Sequence, residues 1–302
     1  MTYDLLVIGS GPAEVTASIY AARANKSVLV IEKEAFGGLI THSPKIENYP
    51  GFPSISGLEL ADQFINQAMN LGVNFEFDNI KEVIKTKDEF TLVGENGQYN
   101  GLAVVIATGS KHRHLGLPKE EELTGHGISY CAVCDGPFYT GKDIIVVGGG
   151  NSAMQEAILL SGYCKSVLMV QNLDKLTGEA SSAELIEKTD NINVIYNKVV
   201  VELCGTDTLD AIIIEDVNTK EREKITTDGI FVAIGQVANN EPFKNVCNLD
   251  KAGFIISNDS CTSEVEGIFV AGDCRQKRIR QISTAISDGT IAAVEAIKYL
   301  DK

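Results

Sequence analysis

Two stretches of the chain share one rhythm of apolar and polar positions. "YDLLVIGSGPAEVTASIYAARANKSVLVIEKE" opens on a short apolar run, breaks at Gly9 and Gly11, continues with apolar residues at helical spacing and closes on a second apolar run. "KDIIVVGGGNSAMQEAILLSGYCKSVLMVQN" repeats the plan, with its break at Gly148 and Gly150. Each predicts strand, glycine turn, amphipathic helix and strand. That is the opening βαβ unit of a doubly wound sheet, in which the turn lets a pyrophosphate sit on a helix N-terminus. A single match of this kind is weak evidence. Two of them, each set between a strand and a helix, are strong.

Further along, "DGIFVAIGQVANN" and "VEGIFVAGDCRQKRIRQISTAISDGTIAAVEAIKYL" predict two more strands, the second followed by a Gly-Asp turn and a long amphipathic helix. "NFEFDNIKEVIKTKDEFTLV" and "NINVIYNKVVVELCGTDTLDAIIIEDV" alternate as β-meanders do. The order predicts an α/β protein with two dinucleotide-binding, Rossmann-like domains, the second inserted into the first. Residues 1–114 and 247–302 form the first domain, and residues 115–246 the inserted one.

Composition narrows the function classes. A chain of 302 residues, 44% hydrophobic and 22% charged, has the make-up of a soluble two-domain protein. No apolar run reaches membrane-spanning length, and the chain enters a strand at once with no basic region ahead of it. A cytoplasmic protein is expected. The net charge of −15 argues against nucleic acid or an anionic membrane surface as partner.

The candidate chemistry begins with seven cysteines, of which only Cys131 and Cys134, in "YCAVCDG", stand at a CxxC spacing. Cys164, Cys204, Cys247, Cys261 and Cys274 are scattered singly and read as buried or unreactive thiols. A zinc site would need two further ligands, and His42, His112, His114 and His126 are not spaced to supply them. A redox dithiol is the favoured reading, since two sulfurs so close can shut a small ring once one thiol is acid enough to ionise. Asp135 follows directly, either as an acid/base or as a turn former ahead of Gly136.

The two glycine turns differ in what surrounds them. In the first, Gly9, Ser10, Gly11, Pro12 and Ala13 lead to Glu14, which replaces the third glycine of the fingerprint and would compete with a phosphate for the positive helix end. Glu32, followed by Lys33, ends the next strand, where a carboxylate can accept from both ribose hydroxyls; the alternative is a solvated charge. In the second, Gly148, Gly150 and Ala153 fit GxGxxA, but the matching strand end reads Val170-Gln171-Asn172. It offers neither the arginines that a 2′-phosphate needs nor the carboxylate that NADH would prefer, and Lys175 is the only near cation.

The segments "GSGPAE", "GGLI", "IENYPG", "VIATGS", "YCAVCDG", "GGGNSA" and "AGDCRQKRIRQISTAISDG" occur in the order found in the low-molecular-weight thioredoxin reductases, which the chain resembles over essentially its whole length. The resemblance implies FAD in the first domain, a homodimer, a rotation of the inserted domain during turnover, and thioredoxin as partner. It assigns to the flavin site, besides the first turn and Glu32 with Lys33, the residues Gly37, Gly38, Leu39, Asn48 and Val83. It adds Ala107, Thr108 and Gly109, and towards the end Asp273, Arg280, Gln281 and Ile282. By the same resemblance Cys134 faces the flavin, Cys131 attacks the disulfide substrate, and Asp135 protonates the departing thiolate and later removes that proton.

The chain departs from the family where the usual His-Arg-Arg is replaced by Val170-Gln171-Asn172. In this it resembles the ferredoxin-dependent flavin thioredoxin reductases, so ferredoxin is the expected electron donor. A relaxed NAD(P)H site, a dithiol oxidase running in reverse and a non-enzymatic flavin-binding scaffold are the alternatives. Arg275, Lys277, Arg278 and Arg280 read either as a basic patch steering an acidic ferredoxin, or as Arg280 and Gln281 lining the flavin with the other cations solvated.

Overall fold

The computed structural model describes residues 1–43, 45–87 and 89–302, and within them every side chain but that of His42. The chain begins with strand β1 (Thr2–Ile8), helix α1 (Pro12–Arg23) and strand β2 (Val28–Glu32). Helix α2 (Gly57–Asn70) and strand β3 (Asn74–Phe77) follow, then a meander of β4 (Ile80–Lys85), β5 (Phe90–Gly94) and β6 (Gln98–Ile106). The chain then crosses through β7 (Lys111–His112) into α3 (Glu120–Leu123), β8 (Ile128–Ser129), α4 (Ala132–Asp135), β9 (Asp143–Val147) and α5 (Asn151–Ser161). Next come β10 (Ser166–Val170), α6 (Ala180–Glu187) and β11 (Ile192–Ile195), a second meander of β12 (Lys198–Gly205), β13 (Leu209–Asp216) and β14 (Arg222–Thr226), and β15 (Gly229–Val232). After the return crossing β16 (Gln236–Val237), which pairs with β7, the chain ends with β17 (Ile268–Val270) and α7 (Ile282–Leu300).

These elements form two compact units, Met1–Lys111 with Val237–Lys302, and His112–Gln236. The first is built on a sheet of order β3-β2-β1-β6-β5-β4, with β17 also pairing β6. Its β3, β2, β1, β6 and β17 run parallel, and the meander is antiparallel. Strand β2 is buried at every position, as a parallel strand covered on both faces must be. One face packs on α1 and α7 through Ala13, Ala17, Ala21, Ala292 and Ala296, small side chains that let the helices sit close. The second unit carries the all-parallel order β11-β10-β9-β15-β8, with β12-β13-β14 as a separate antiparallel sheet. Each alternating stretch opens with a parallel edge strand, β3 or β11, before it enters an antiparallel meander, and both glycine turns lie between a parallel strand and a helix.

The crossings lie earlier in the chain than the sequence placed them, at 111 and 236 rather than 114 and 246. The reason for the second shift is packing. Phe243 and Val246 are buried in the core of the first unit with Leu6, Val104 and Val270. Asn240, with no exposed surface, donates to the carbonyls of Gly253 and Cys274 at 2.9 Å each and holds this segment down. Among the described residues no helix is long and apolar enough to cross a membrane.

Candidate functional site

The first unit gathers most of the residues assigned to the flavin. Gly9 leaves β1 with φ +106°, a conformation that favours glycine, and Pro12 occupies the first turn of α1, where its missing N–H costs nothing. Ser10 Oγ donates to Glu32 Oε2 at 2.8 Å, and Glu32 Oε1 accepts from the N–H groups of Lys33 and Glu34. A carboxylate has about four acceptor positions, so Glu32 keeps capacity for a ligand hydroxyl. Gly37 donates its N–H to Ser10 O and Oγ, which brings the second glycine pair onto the first turn, and a Cβ on Gly38 would lie 3.1 Å from Gly11 Cα. Leu39 beside them is exposed, and Lys33 pairs with Glu34 at 3.3 Å.

Residues far apart in sequence join the same neighbourhood. Ala107 presents its carbonyl to Gly9, Thr108 donates to Asn240 Oδ1 at 3.1 Å, and Gly109 turns with φ +66° over open space. Asn48 donates to Gln281 Oε1 at 3.1 Å, and Gln281 caps α7, whose first residue is Ile282. Asp273 Oδ1 is buried without a hydrogen-bond partner, and burial pushes its carboxyl up to about 6. An orphaned buried acceptor beside a glycine cradle fits the hydroxyls of a flavin dinucleotide, so these residues suit FAD. The side chain of Val83 has no exposure and sits in the core under the meander, and its carbonyl accepts from Asn245 at 2.6 Å.

The basic cluster is not a free positive face. Arg275 is buried and donates to Asp288 Oδ1 at 3.0 Å, Ser257 Oγ and Asn258 O, while Lys277 meets Asp288 Oδ2 at 2.8 Å. Arg280 stacks over Phe254 at 4.2 Å and donates to Asp273 O and Arg275 O. Of the four, Arg278 alone is exposed. Asp288 also accepts from Gly272 N and so fixes the turn that carries Asp273. The sequence reading passed over Asp288 and Asn240, because their partners are distant and neither sits in a motif.

The second unit carries the dithiol. Cys131 and Cys134 form a disulfide with Cα atoms 5.3 Å apart at the junction of β8 and α4. The N–H of Cys134 donates to Cys131 Sγ at 3.2 Å, and Ala132 between them anchors α4 on Ala153, Ala157 and Leu160. Ser129 Oγ donates to Asp135 Oδ2 at 2.6 Å and accepts from the N–H of Cys131 at 3.1 Å, so it links the acid to the first cysteine. Burial raises the Asp135 carboxyl above its ordinary value, and the Ser129 bond opposes part of that rise. Asp135 is thus a half-buried acid in hydrogen-bonded contact with the redox segment. Of the other thiols, burial pushes Cys164 and Cys261 up to about 11 and Cys247 up to about 12, which keeps them un-ionised near neutral pH.

The second glycine turn is covered by its own chain. Gly148 leaves β9 with φ +130°, but Gln171 is buried with its amide against Gly149, donating to Lys175 O at 2.9 Å and accepting from Asn172 N at 3.1 Å. Thr177 donates its N–H to Gly149 O at 2.8 Å, and Glu179 donates to Asn151 Oδ1 at 2.7 Å. Between them, Gly178 lies so close that a Cβ would overlap Met154 Cε and stand 2.9 Å from Asn151 N. Residues 177–179 thus lie against Gly149, Asn151 and Met154 at the start of α5.

Comparison with known proteins finds similar chains over nearly the whole length. The family model for pyridine nucleotide-disulphide oxidoreductases matches residues 3–289. The chain is 42% identical over 298 residues to a 34.2 kDa protein in the rubredoxin operon of Clostridium pasteurianum, covering 98% of this chain and 97% of that one. It is 39% identical over 301 residues to the thioredoxin reductase of Bacillus subtilis, covering 99% and 95%. Among solved structures, the thioredoxin reductase of Streptococcus pyogenes superposes with a TM-score of 0.95 at 39% identity, covering 99% of this chain and 98% of that one.

Proposed function

Because the chain belongs to the pyridine nucleotide-disulphide oxidoreductases, and within them to the low-molecular-weight thioredoxin reductases, we propose that it carries two electrons from reduced ferredoxin to the disulfide of thioredoxin. The protein is a FAD-binding flavoprotein disulfide oxidoreductase, and FAD supplies the two-electron transfer between the donor and the Cys131–Cys134 disulfide. In the reduced dithiol, Cys131 attacks the substrate disulfide and forms a mixed disulfide, and Cys134 then displaces it, regenerating the Cys131–Cys134 bond and releasing thioredoxin as a dithiol. Asp135 delivers the proton that the departing thiolate needs and later takes it back, oriented by Ser129. The reading includes a homodimer in the cytoplasm, open to sedimentation and fractionation.

The observation that carries the choice of donor is the covered second turn. Residues 177–179 bond to Gly149 O and to the Asn151 side chain beside the start of α5, and the neutral Gln171 stands where a 2′-phosphate or a ribose would need charge. The buried Arg275–Asp288–Lys277 cluster gives no support to a steering patch there, so the donor assignment rests on the second turn alone. The test is anaerobic stopped-flow mixing of the oxidised protein with reduced ferredoxin, NADPH or NADH. Rapid bleaching of the flavin by ferredoxin and slow or no bleaching by either nucleotide is expected. Fast bleaching by micromolar NADPH overturns the donor, and oxygen uptake with a small dithiol but no thioredoxin turnover overturns the direction of electron flow.

A further inference from the structure

Glu14 is the residue of the first glycine turn that the dinucleotide fingerprint leaves unexplained. It sits in the first turn of α1, yet its side chain turns back into the loop and is 5% exposed. A Cβ on Gly9 would overlap its Oε1, and one on Gly11 would lie 3.3 Å from its Oε2. The carboxyl therefore fills the inside of the turn that cradles a pyrophosphate in this fold. Two anionic groups cannot share that cradle cheaply.

The groups facing Glu14 are acidic or neutral. Strand β2 contributes Glu32, and the turn before Arg275 contributes Asp273 and the buried thiol of Cys274. Helix α7 presents Asp288, whose charge is already met by Arg275 and Lys277. The buried face of α2 is apolar, and β1 and β6 bring no titratable group to the loop. Against this stand only the backbone amides of Gly11 and Glu14, which favour the charged form. Burial outweighs them and raises the carboxyl well above its ordinary value.

We propose that Glu14 holds the FAD pyrophosphate as a neutral carboxylic acid, its O–H serving as a hydrogen-bond donor, so that FAD binding takes up one proton wherever the free protein has Glu14 ionised. The proton passes from solvent to the Glu14 carboxylate, and no other bond changes. Linkage fixes the sign. The complex binds more protons than the free protein between the two titrations of Glu14, so FAD affinity is full below the free-protein titration and falls by up to about tenfold per pH unit above it.

The test follows FAD release from diluted holoenzyme by flavin fluorescence between about pH 6 and about pH 9, with binding calorimetry in two buffers of different ionisation enthalpy to count protons. The wild-type protein should lose affinity as pH rises and take up a growing fraction of a proton. Glu14→Gln keeps the shape and an N–H donor, so it should bind with a flat Glu14 contribution and more tightly than wild type at the alkaline end. Glu14→Gly should also be flat. Asp273, pushed up to about 6 by burial, adds its own slope, and subtracting the Gln variant removes that contribution. A wild-type pH slope and proton count equal to those of Glu14→Gln overturn the proposal. The wild-type proton count alone tests it should a variant fold poorly, because zero uptake at the alkaline end overturns it too.

Discussion

The two glycine turns of this protein are written alike and finished differently. Both follow a parallel strand, both start with a glycine at positive φ, and both open a helix that packs on its sheet. They part at the end of the next strand. After β2 the chain places Glu32, tied to Ser10, and the loop that follows leaves Asp273 Oδ1 unpartnered for a ligand to meet. After β10 it places Gln171, whose amide is spent on Lys175 O and Asn172 N, and the loop that follows sits on the helix start itself. The two βαβ units thus share a frame and differ in the loop after the second strand. In the second unit the frame seats α4, the element that carries the redox disulfide.

The sharpest way to break this contrast is to separate the two tasks. Cys131→Ser removes the disulfide of the second unit and leaves every residue of the first unit unchanged. Thioredoxin reduction should fall to background while FAD content, measured by absorbance, stays at one equivalent per chain of wild type. Retained turnover would remove the dithiol from the reaction, and lost FAD would show that the cofactor depends on the second unit.

A smaller but still large effect is expected at the first site from Asp288→Asn. The substitution leaves Arg275 and Lys277 buried without a counter-charge and frees Gly272 from its carboxylate partner. Breaking a buried ion pair by removing one member costs about 3–5 kcal/mol. Denaturant unfolding should register that loss together with weakened FAD retention. A cost under about 1 kcal/mol would mean that the pair behaves like an exposed one.

How much of this was legible in the chain follows from the range of each interaction. The paired βαβ units, both meanders and the insertion could be read because apolar periodicity and turn glycines are local signals. The CxxC and its neighbouring aspartate were visible for the same reason. Residues 237–246 were assigned to the wrong unit because Phe243 and Val246 show no period that says which core they join. The cations at 275 and 277 looked like a surface patch because their partner, Asp288, lies a helix away and was read as one more polar residue of an amphipathic face. Val83 was assigned by resemblance, and its strand turns it into the core. The covering of the second turn had a trace in the sequence, the missing arginines, but its physical form depends on Gly178 meeting Met154 and Asn151 in space.

Gly178→Ala tests that form directly. The added methyl overlaps Met154 Cε, and the backbone of residues 177–179 must move off α5 to admit it. Overpacking of this kind costs about 1–3 kcal/mol. Hydrogen exchange should become faster at the amides of Thr177 and Glu179, which are bonded to Gly149 O and Asn151 Oδ1, while amides of the first unit keep their rates. Unchanged protection would mean that the segment does not rest on the helix start, and the contrast between the two turns would lose its basis.

The finest distinction lies inside the second unit, between Asp135 as an acid and Asp135 as a turn former. Burial raises its carboxyl and the Ser129 hydroxyl, bonded to Oδ2 at 2.6 Å, pulls it partly back. Ser129→Ala removes a bond that favours the charged form, so the carboxyl should titrate at a higher pH than in wild type. An acid that donates a proton works while it is protonated, below its own titration. The proton-dependent limb of thioredoxin reduction should therefore extend to higher pH in Ser129→Ala, with a small change in the plateau rate. Ser129→Thr keeps the hydroxyl and should restore the original profile. The readout is the pH profile rather than the rate, because loss of the Cys131 N–H contact to the same oxygen would lower the rate without moving the limb. A limb that stays in place in Ser129→Ala would return Asp135 to the role of a turn residue ahead of Gly136 and leave the proton to solvent.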